Sequence, residues 1–301
     1  MQNNRFLKFI IQKTDKKILR KFLIQHNFSS SQLHNLKNKG GKIYVNHKQR
    51  HFNFKMEIGD TLLVVLNDEE PSDLIEPMKG DLDVIFEDKY LLVVNKQPGI
   101  ASLPAKARTS KTVANMVKYY LQEKHENSSI HLVTRLDRDT SGLMVFAKNS
   151  YTHSLLDQIL HSNDFQKFYL AIVYGKVTPS KGLIDLPIGI DPEAFYLRTI
   201  DYKLGKESRT VYETIENYEK DSMLKLKLLT GRTHQIRVHL SAIGHPIIGD
   251  EMYSLKKDPR INRQALHCYQ LQIVHPVTKK LLKLTAPIPP DMVLLRSVLK
   301  G

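Results

Sequence analysis

The sequence predicts a two-part chain with helices and strands interspersed, on three observations. At 301 residues it has the length of about two domains. Its positive charge is gathered at the front: residues 1–66 hold 13 Lys and Arg against 3 Asp and Glu, a net of +10 within a total of +14. Then the sign reverses. Asp68, Glu69, Glu70, Pro71 and Pro77 mark residues 67–80 as a linker. The expected divisions are 1–66, 67–80 and 81–301.

In the front part, residues 14–27 read as a helix. Thr14 or Asp15 can cap it, Leu19, Phe22 and Leu23 share a face, and Asn27 can end it. Ser29 followed by Gln32 has capping-box spacing and starts a second helix, which stops at Gly40-Gly41. Lys42–Asn46 alternates, with Ile43 and Val45 on one side, as a half-buried strand does. Gly59-Asp60 turns the chain into a strand over Thr61–Leu66.

Beyond the linker the pattern is that of a larger core. Tyr90–Val94 is a continuous apolar run, hence a buried strand, and Asn95-Lys96-Gln97-Pro98-Gly99 is a turn. Thr112–Leu121 is a helix with Val113, Met116, Val117 and Tyr120 on one face. Leu143–Ala147 is a short buried strand, residues 150–163 a helix, and Lys167–Gly175 a strand. Residues 176–205, rich in Gly, Pro and charge, form a hairpin or loop. Ser208–Thr214 and Met223–Leu229 are strands, and a helix starts at about Gln235 before a Gly-His-Pro turn at Gly244.

Residues 134–142, Thr-Arg-Leu-Asp-Arg-Asp-Thr-Ser-Gly, set charged side chains directly before the core strand Leu143–Ala147. A reactive group is well held when its segment is packed on a rigid element. The candidate is Asp137, between Arg135 and Arg138. A neighbouring arginine favours an ionised carboxylate, which can act as nucleophile or base. Such acids are more commonly solvated or ion-paired for structural reasons. Arg-Leu-Asp-x-x-Thr-Ser-Gly-Leu with Phe-Ala-Lys resembles the active-site motif of the RluA/RluD-type RNA pseudouridine synthases. Lys167-x-Tyr169 resembles that family's second motif, and Thr230-Gly-Arg-Thr-His-Gln-Ile-Arg-Val-His-Leu240 with Gly244-His-Pro and Gly249-Asp250 its third. Asn-Lys-x-Pro-Gly at 95–99 is a further shared feature. The family usually has His where this chain has Thr134.

The resemblance implies an α+β fold: a long mixed, mostly antiparallel sheet flanked by helices with a central cleft. It also implies roles. Asp137 is the nucleophile or base, Arg237 pairs with it, and Tyr169 lies against the target base. Arg135 fills the gap left by a flipped uridine, and Arg138 and Lys167 contact phosphate or brace the site. The front part resembles the small α/β RNA-binding domain shared with ribosomal small-subunit protein four. Its RNA-facing residues would be Lys37, Lys39 and Lys42, supported by Lys17, Arg20 and Lys21. The implied partner is RNA, large-subunit ribosomal RNA first and transfer RNA second, with no cofactor. A non-catalytic RNA-binding or ribosome-assembly factor on the same fold is the alternative. It would explain the charge but not Asp137, Tyr169 and Arg237 together. A glycosidase using Asp137 and Asp139 is disfavoured, because alternate residues of an extended segment point to opposite sides.

Composition narrows the setting. The single cysteine, Cys268, allows no disulfide within the chain and fits a reducing cytoplasm. Phe6–Ile11 is interrupted by Lys8 and followed by no small-residue cleavage site, so no signal peptide is expected. No apolar run approaches the roughly 20 residues of a membrane span. The histidines of the third motif invite a metal reading, but His234 and His239 are five apart and would not share a helical face, so no metal site is expected. A pI of about 9.6 points to a polyanion, and a monomer is expected.

Overall fold

The computed structural model describes residues 6–66, 75–104, 111–125, 129–254 and 256–301. The front part runs β1 (Phe6–Ile10), α1 (Leu19–Gln25), α2 (Ser30–Asn38), β2 (Lys42–Val45), β3 (Lys48–Gln49) and β4 (Thr61–Val65). These four strands form an antiparallel sheet in the order β1-β4-β2-β3. Ser29 caps α2 in a full capping box with Gln32. The first helix is shorter than its sequence suggests. Asp15 turns back to accept from the Gln12 amide, so no side chain caps the helix, which begins at Leu19. Asn27, at φ 68°, ends it. Leu19, Phe22 and Leu23 are fully buried, as the shared face requires.

The larger part begins with β5 (Asp83–Glu87), β6 (Leu91–Lys96), α3 (Val113–Glu123), β7 (His131–Leu132), β8 (Ser141–Ala147), α4 (Ser150–Ile159), β9 (Phe165–Tyr174) and β10 (Lys181–Asp185). It continues through β11 (Ile188–Ile190), β12 (Arg198–Ile200), β13 (Arg209–Asn217), β14 (Asp221–Leu228), α5 (Gln235–Ala242), β15 (Leu266–Val274), β16 (Leu281–Thr285) and α6 (Pro290–Lys300). Ten strands make one open sheet, ordered β10-β13-β14-β9-β15-β8-β6-β5, with β16 on β15 and β7 on β8. The β15–β8 pair is parallel and the other pairs in this sheet are antiparallel. The fold is therefore the α+β arrangement with a mixed, mostly antiparallel sheet that the resemblance implied. Residues 176–205 contribute edge strand β10 and a separate hairpin, β11–β12.

The four-stranded and the ten-stranded sheet each carry their own hydrophobic cluster. The apolar runs of β6 and β8 are buried on both faces because helices or loops cover them. Tyr151, from α4, belongs to the front cluster instead: its ring stacks on Phe28 at 4.2 Å and its hydroxyl donates to His26 O. Of the expected linker, residues 67–74 lie outside the described residues. Residues 75–78 run along α3, where Asn115 and Lys118 side chains donate to Glu76 O and Ile75 O. Among the described residues no helix is long and apolar enough to cross a membrane.

Candidate active site

The segment between β7 and β8 carries Asp137, and backbone bonds pin it from several directions. Thr134, where the family's histidine would stand, accepts from Val145 N through Oγ1 and so ties the segment back onto β8. Ser102 Oγ donates to Leu136 O and accepts from Leu136 N. Thr140 N donates to Asp137 O, which closes a turn over residues 137–140. Lys96 Nζ donates to Gln97 O, Ile100 O and Arg138 O, three acceptors for the three protons of an ammonium. Burial pushes the Lys96 pKa down to about 7, against the attraction of Asp139. Gly142 then enters β8 at φ +113°, where a Cβ would lie 2.3 Å from Cys268 O. Only glycine lets β8 approach β15 this closely.

Arg237 reaches Asp137 from α5, with Nη1 3.1 Å from Oδ2. Its stronger partner is a residue the sequence reasoning did not assign. Asp250 accepts from Arg237 Nε at 2.7 Å and from Nη2 at 2.8 Å, a bidentate pair in which both side chains are buried. Burial opposes the Arg237 charge, but Asp250 and then Asp137 outweigh it, so its pKa rises and the cation is permanent. The Tyr253 ring lies 5.0 Å from the guanidinium. Asp250 is held in place by Gly249, at φ +78° with Arg263 O 2.1 Å from where a Cβ would sit.

His234, the residue before α5, has the left-handed φ of 57° and points back toward the acid. Its Nδ1 is 2.8 Å from Tyr253 Oη and its Nε2 is 3.9 Å from Asp137 Oδ2. Tyr253 Oη also accepts from Arg198 N, which fixes the hydroxyl beside the imidazole. Burial, with Arg237 adding to it, lowers the His234 pKa and keeps the ring neutral. Asp137 Oδ1 has no protein donor among the described residues.

Asp137 opens onto a cavity of about 680 Å³, lined also by Arg135, Arg138, Lys167, Tyr169, His234 and Arg237. That volume fits a nucleotide-sized ligand. Tyr169 and Lys167, two apart on β9, line it together and are both buried. Burial raises the Tyr169 pKa well above its ordinary value, so the phenol is neutral, and lowers that of Lys167. Arg135 and Arg138 are exposed at the rim. Lys17, Arg20, Lys21, Lys37, Lys39 and Lys42 all lie in the front part and none lines this cavity. Arg20, Lys21, Lys37, Lys39 and Lys42 are exposed, whereas Lys17 is half-buried and donates to Gln12 O.

Asp139 does not join Asp137, though for a different reason than alternation in an extended segment. Residues 137–140 form a turn, Arg138 Nε reaches the Asp139 carboxylate at 3.2 Å, and Asp139 lines a separate pocket beside Arg263 and Asp291. His239 is buried, bonded to Thr210 Oγ1 and Leu186 O. Among the described residues no cluster of three metal-ligating side chains forms.

Residues 90–242 match the family described as RNA pseudouridylate synthase. The Bacillus subtilis protein YjbO, named an uncharacterized RNA pseudouridine synthase, is 37% identical across 84% of this chain and 89% of its own length. Ribosomal large subunit pseudouridine synthase D of Blochmanniella floridana is 36% identical across 78% of each chain. Among solved structures, human RNA pseudouridylate synthase domain containing 1 aligns with a TM-score of 0.58 at 26% identity, covering 74% of this chain and 89% of its own.

Proposed function

The chain belongs to the RNA pseudouridine synthase family, and we propose that it isomerises particular uridines of structured RNA with Asp137 as the reacting carboxylate. The observation that carries this reading is Asp137 itself: it faces the cavity, Arg237 holds one of its oxygens, and Tyr169 lines the same space. The reaction breaks the bond between ribose C1′ and uracil N1, turns the base, and joins C5 to the same sugar carbon. Oδ1 of Asp137, with no donor among the described residues, is the oxygen that attacks C1′ or takes the 2′ hydrogen. Arg237 orients the acid through its bond to Oδ2. Neutral Tyr169 packs on the detached uracil and keeps it from leaving. Arg135 enters the gap in the RNA, while Arg138 and Lys167 contact phosphate or brace the site. Flipping costs a few kcal/mol, and stacking on an aromatic returns roughly 1–3 kcal/mol.

Large-subunit ribosomal RNA is the proposed substrate, which the names of the synthase D relatives support. Residues 1–66 are proposed as an RNA-binding domain like that of ribosomal small-subunit protein four, joined through 67–80 to a catalytic domain over 81–301. Exposed Lys37, Lys39 and Lys42 around α2 and β2 support it. Two measurements test the reading. Asp137→Asn should abolish tritium release from RNA labelled at uracil C5 while RNA binding persists; turnover within tenfold of wild type would sink the assignment. Replacing Lys37, Lys39 and Lys42 together by Gln should flatten the salt dependence of RNA binding by up to about 2 in log–log slope. An unchanged slope would make this face a merely solvated surface.

A further inference from the structure

The lobe formed by β11 and β12 displays its aromatic side chains to solvent. Among the described residues the three most exposed aromatics are here: Phe195 at 80%, Tyr202 at 77% and Tyr196 at 72%. Large apolar side chains gathered in one exposed place mark an interaction surface.

The backbone beneath them is tied down. Asp191 Oδ1 accepts from the amides of Glu193 and Ala194, Leu197 N donates to Ala194 O, and Asp191 N donates to Leu197 O. Arg198 Nη1 braces the same loop by donating to Phe195 O and Leu197 O. Phe195 and Tyr196 therefore sit on a preorganised tip, so little ordering cost falls on a binding partner.

The lobe is fastened to the rim of the cavity at both ends. Arg198 N donates to Tyr253 Oη, which bonds His234, a cavity residue. At the other end, Arg232, also a cavity residue, donates through Nε to Glu207 O. Exposed Arg135, Arg138 and Arg232 stand around the same opening.

We infer that Phe195 and Tyr196 form a stacking platform for unpaired RNA bases beside the flipped uridine, an inference that rests on the pseudouridine synthase reading of the cavity. Cations at the rim suit a phosphate backbone, and every base offers a face to an aromatic ring. An RNA strand that delivers its uridine to Asp137 must leave the cavity past this rim, where the neighbouring nucleotides meet the lobe. The platform would select substrates whose flanking nucleotides are single-stranded.

The test uses the full chain, a fluorescein-labelled RNA stem-loop with uridine in its unpaired loop, and an unmodified transcript of large-subunit ribosomal RNA. Phe195→Ser with Tyr196→Ser should weaken stem-loop binding by about ten- to a hundredfold and raise KM for the transcript alike, with single-turnover tritium release at saturation unchanged. Phe195→Tyr with Tyr196→Phe should restore binding, whereas Phe195→Leu with Tyr196→Leu should not. Wild-type binding by the serine variant would overturn the inference, as would full rescue by leucine, which keeps the apolar area without a ring. A wild-type dimer in sedimentation that the serine variant dissociates would assign the surface to a second copy and overturn it too. The underlying reading fails separately, if Asp137→Asn turns over like the wild type.

Discussion

Arg237 is shared by two carboxylates of unequal exposure, and replacing each in turn separates holding the site from running it. Asp250 is 1% exposed and grips the guanidinium with two bonds. Breaking a buried pair by removing one partner costs about 3–5 kcal/mol. Asparagine preserves the shape and one acceptor oxygen, so Asp250→Asn belongs near the lower end, about 3 kcal/mol. At roughly 2–4 °C per kcal/mol for a chain of this size, Tm falls by about 6–12 °C. A released guanidinium also lets Asp137 drift, and a misplacement of about 1 Å can cost on the order of a hundredfold in rate. Asp137 has a side chain 28% exposed and holds Arg237 by one bond, so its pair is worth no more than about 1 kcal/mol to stability. Asp137→Asn should therefore melt within about 4 °C of wild type yet release no tritium. Melting by near-ultraviolet circular dichroism and tritium release on the same preparations decide it. If Asp250→Asn melts like the wild type, or Asp137→Asn melts as low as Asp250→Asn, the division of labour argued from exposure and bond count is wrong.

Three further outcomes follow from other parts of the molecule. Tyr169→Phe should retain the flipped uridine and Tyr169→Ala should lose it, by about 1–3 kcal/mol of binding; equal binding of labelled RNA by the two would make Tyr169 a core residue only. Burial pushes the His267 pKa down to about 4 from 6.5, so between these values the unfolded chain binds a proton that the folded chain refuses. Stability is fully present above pH 6.5 and falls as pH drops toward 4, by at most about 3 kcal/mol from this group. His267→Gln should flatten urea-measured stability in that window; a curve parallel to wild type would refute the assignment. Tyr151→Ala removes the ring stacked on Phe28, and should cost about 3–5 kcal/mol and raise the radius of gyration in small-angle scattering as the front sheet loosens from α4. An unchanged radius would show that Gln32, through Ser154, and Tyr90, through Phe6 O, suffice.

What the sequence made legible was local. The capping box of α2 and the apolar runs of β6, β8 and β9 are written in consecutive residues, because their burial is two-sided and their caps span three positions. What stayed hidden depends on distant partners. Phe6–Ile10 is an edge strand with only Leu7 fully buried, and its hydrogen bonds go to Thr61–Val65, more than 50 residues on. The parallel pairing of β15 with β8 has no local signature either; Gly142 is its mark, and that becomes visible only once Cys268 lies against it.

The site divides the same way. Asp137, Tyr169 and Arg237 stand out because the resemblance gives each a role, whereas Asp250, though it stands in the third motif at Gly249-Asp250, is given none. The signal available was its place in that motif; its bidentate pairing with Arg237 shows only in the fold. Yet the way Asp137 is held depends on it. If Arg237 had only Asp137 to neutralise it, a buried guanidinium would draw both carboxylate oxygens into a bidentate pair, the stronger geometry. Asp250 takes that geometry instead, through Nε and Nη2, and leaves Nη1 alone to hold Asp137 by Oδ2. A carboxylate gripped by one oxygen is oriented while the other stays open to the cavity. A second acid behind the arginine is thus what leaves the first one held by a single oxygen.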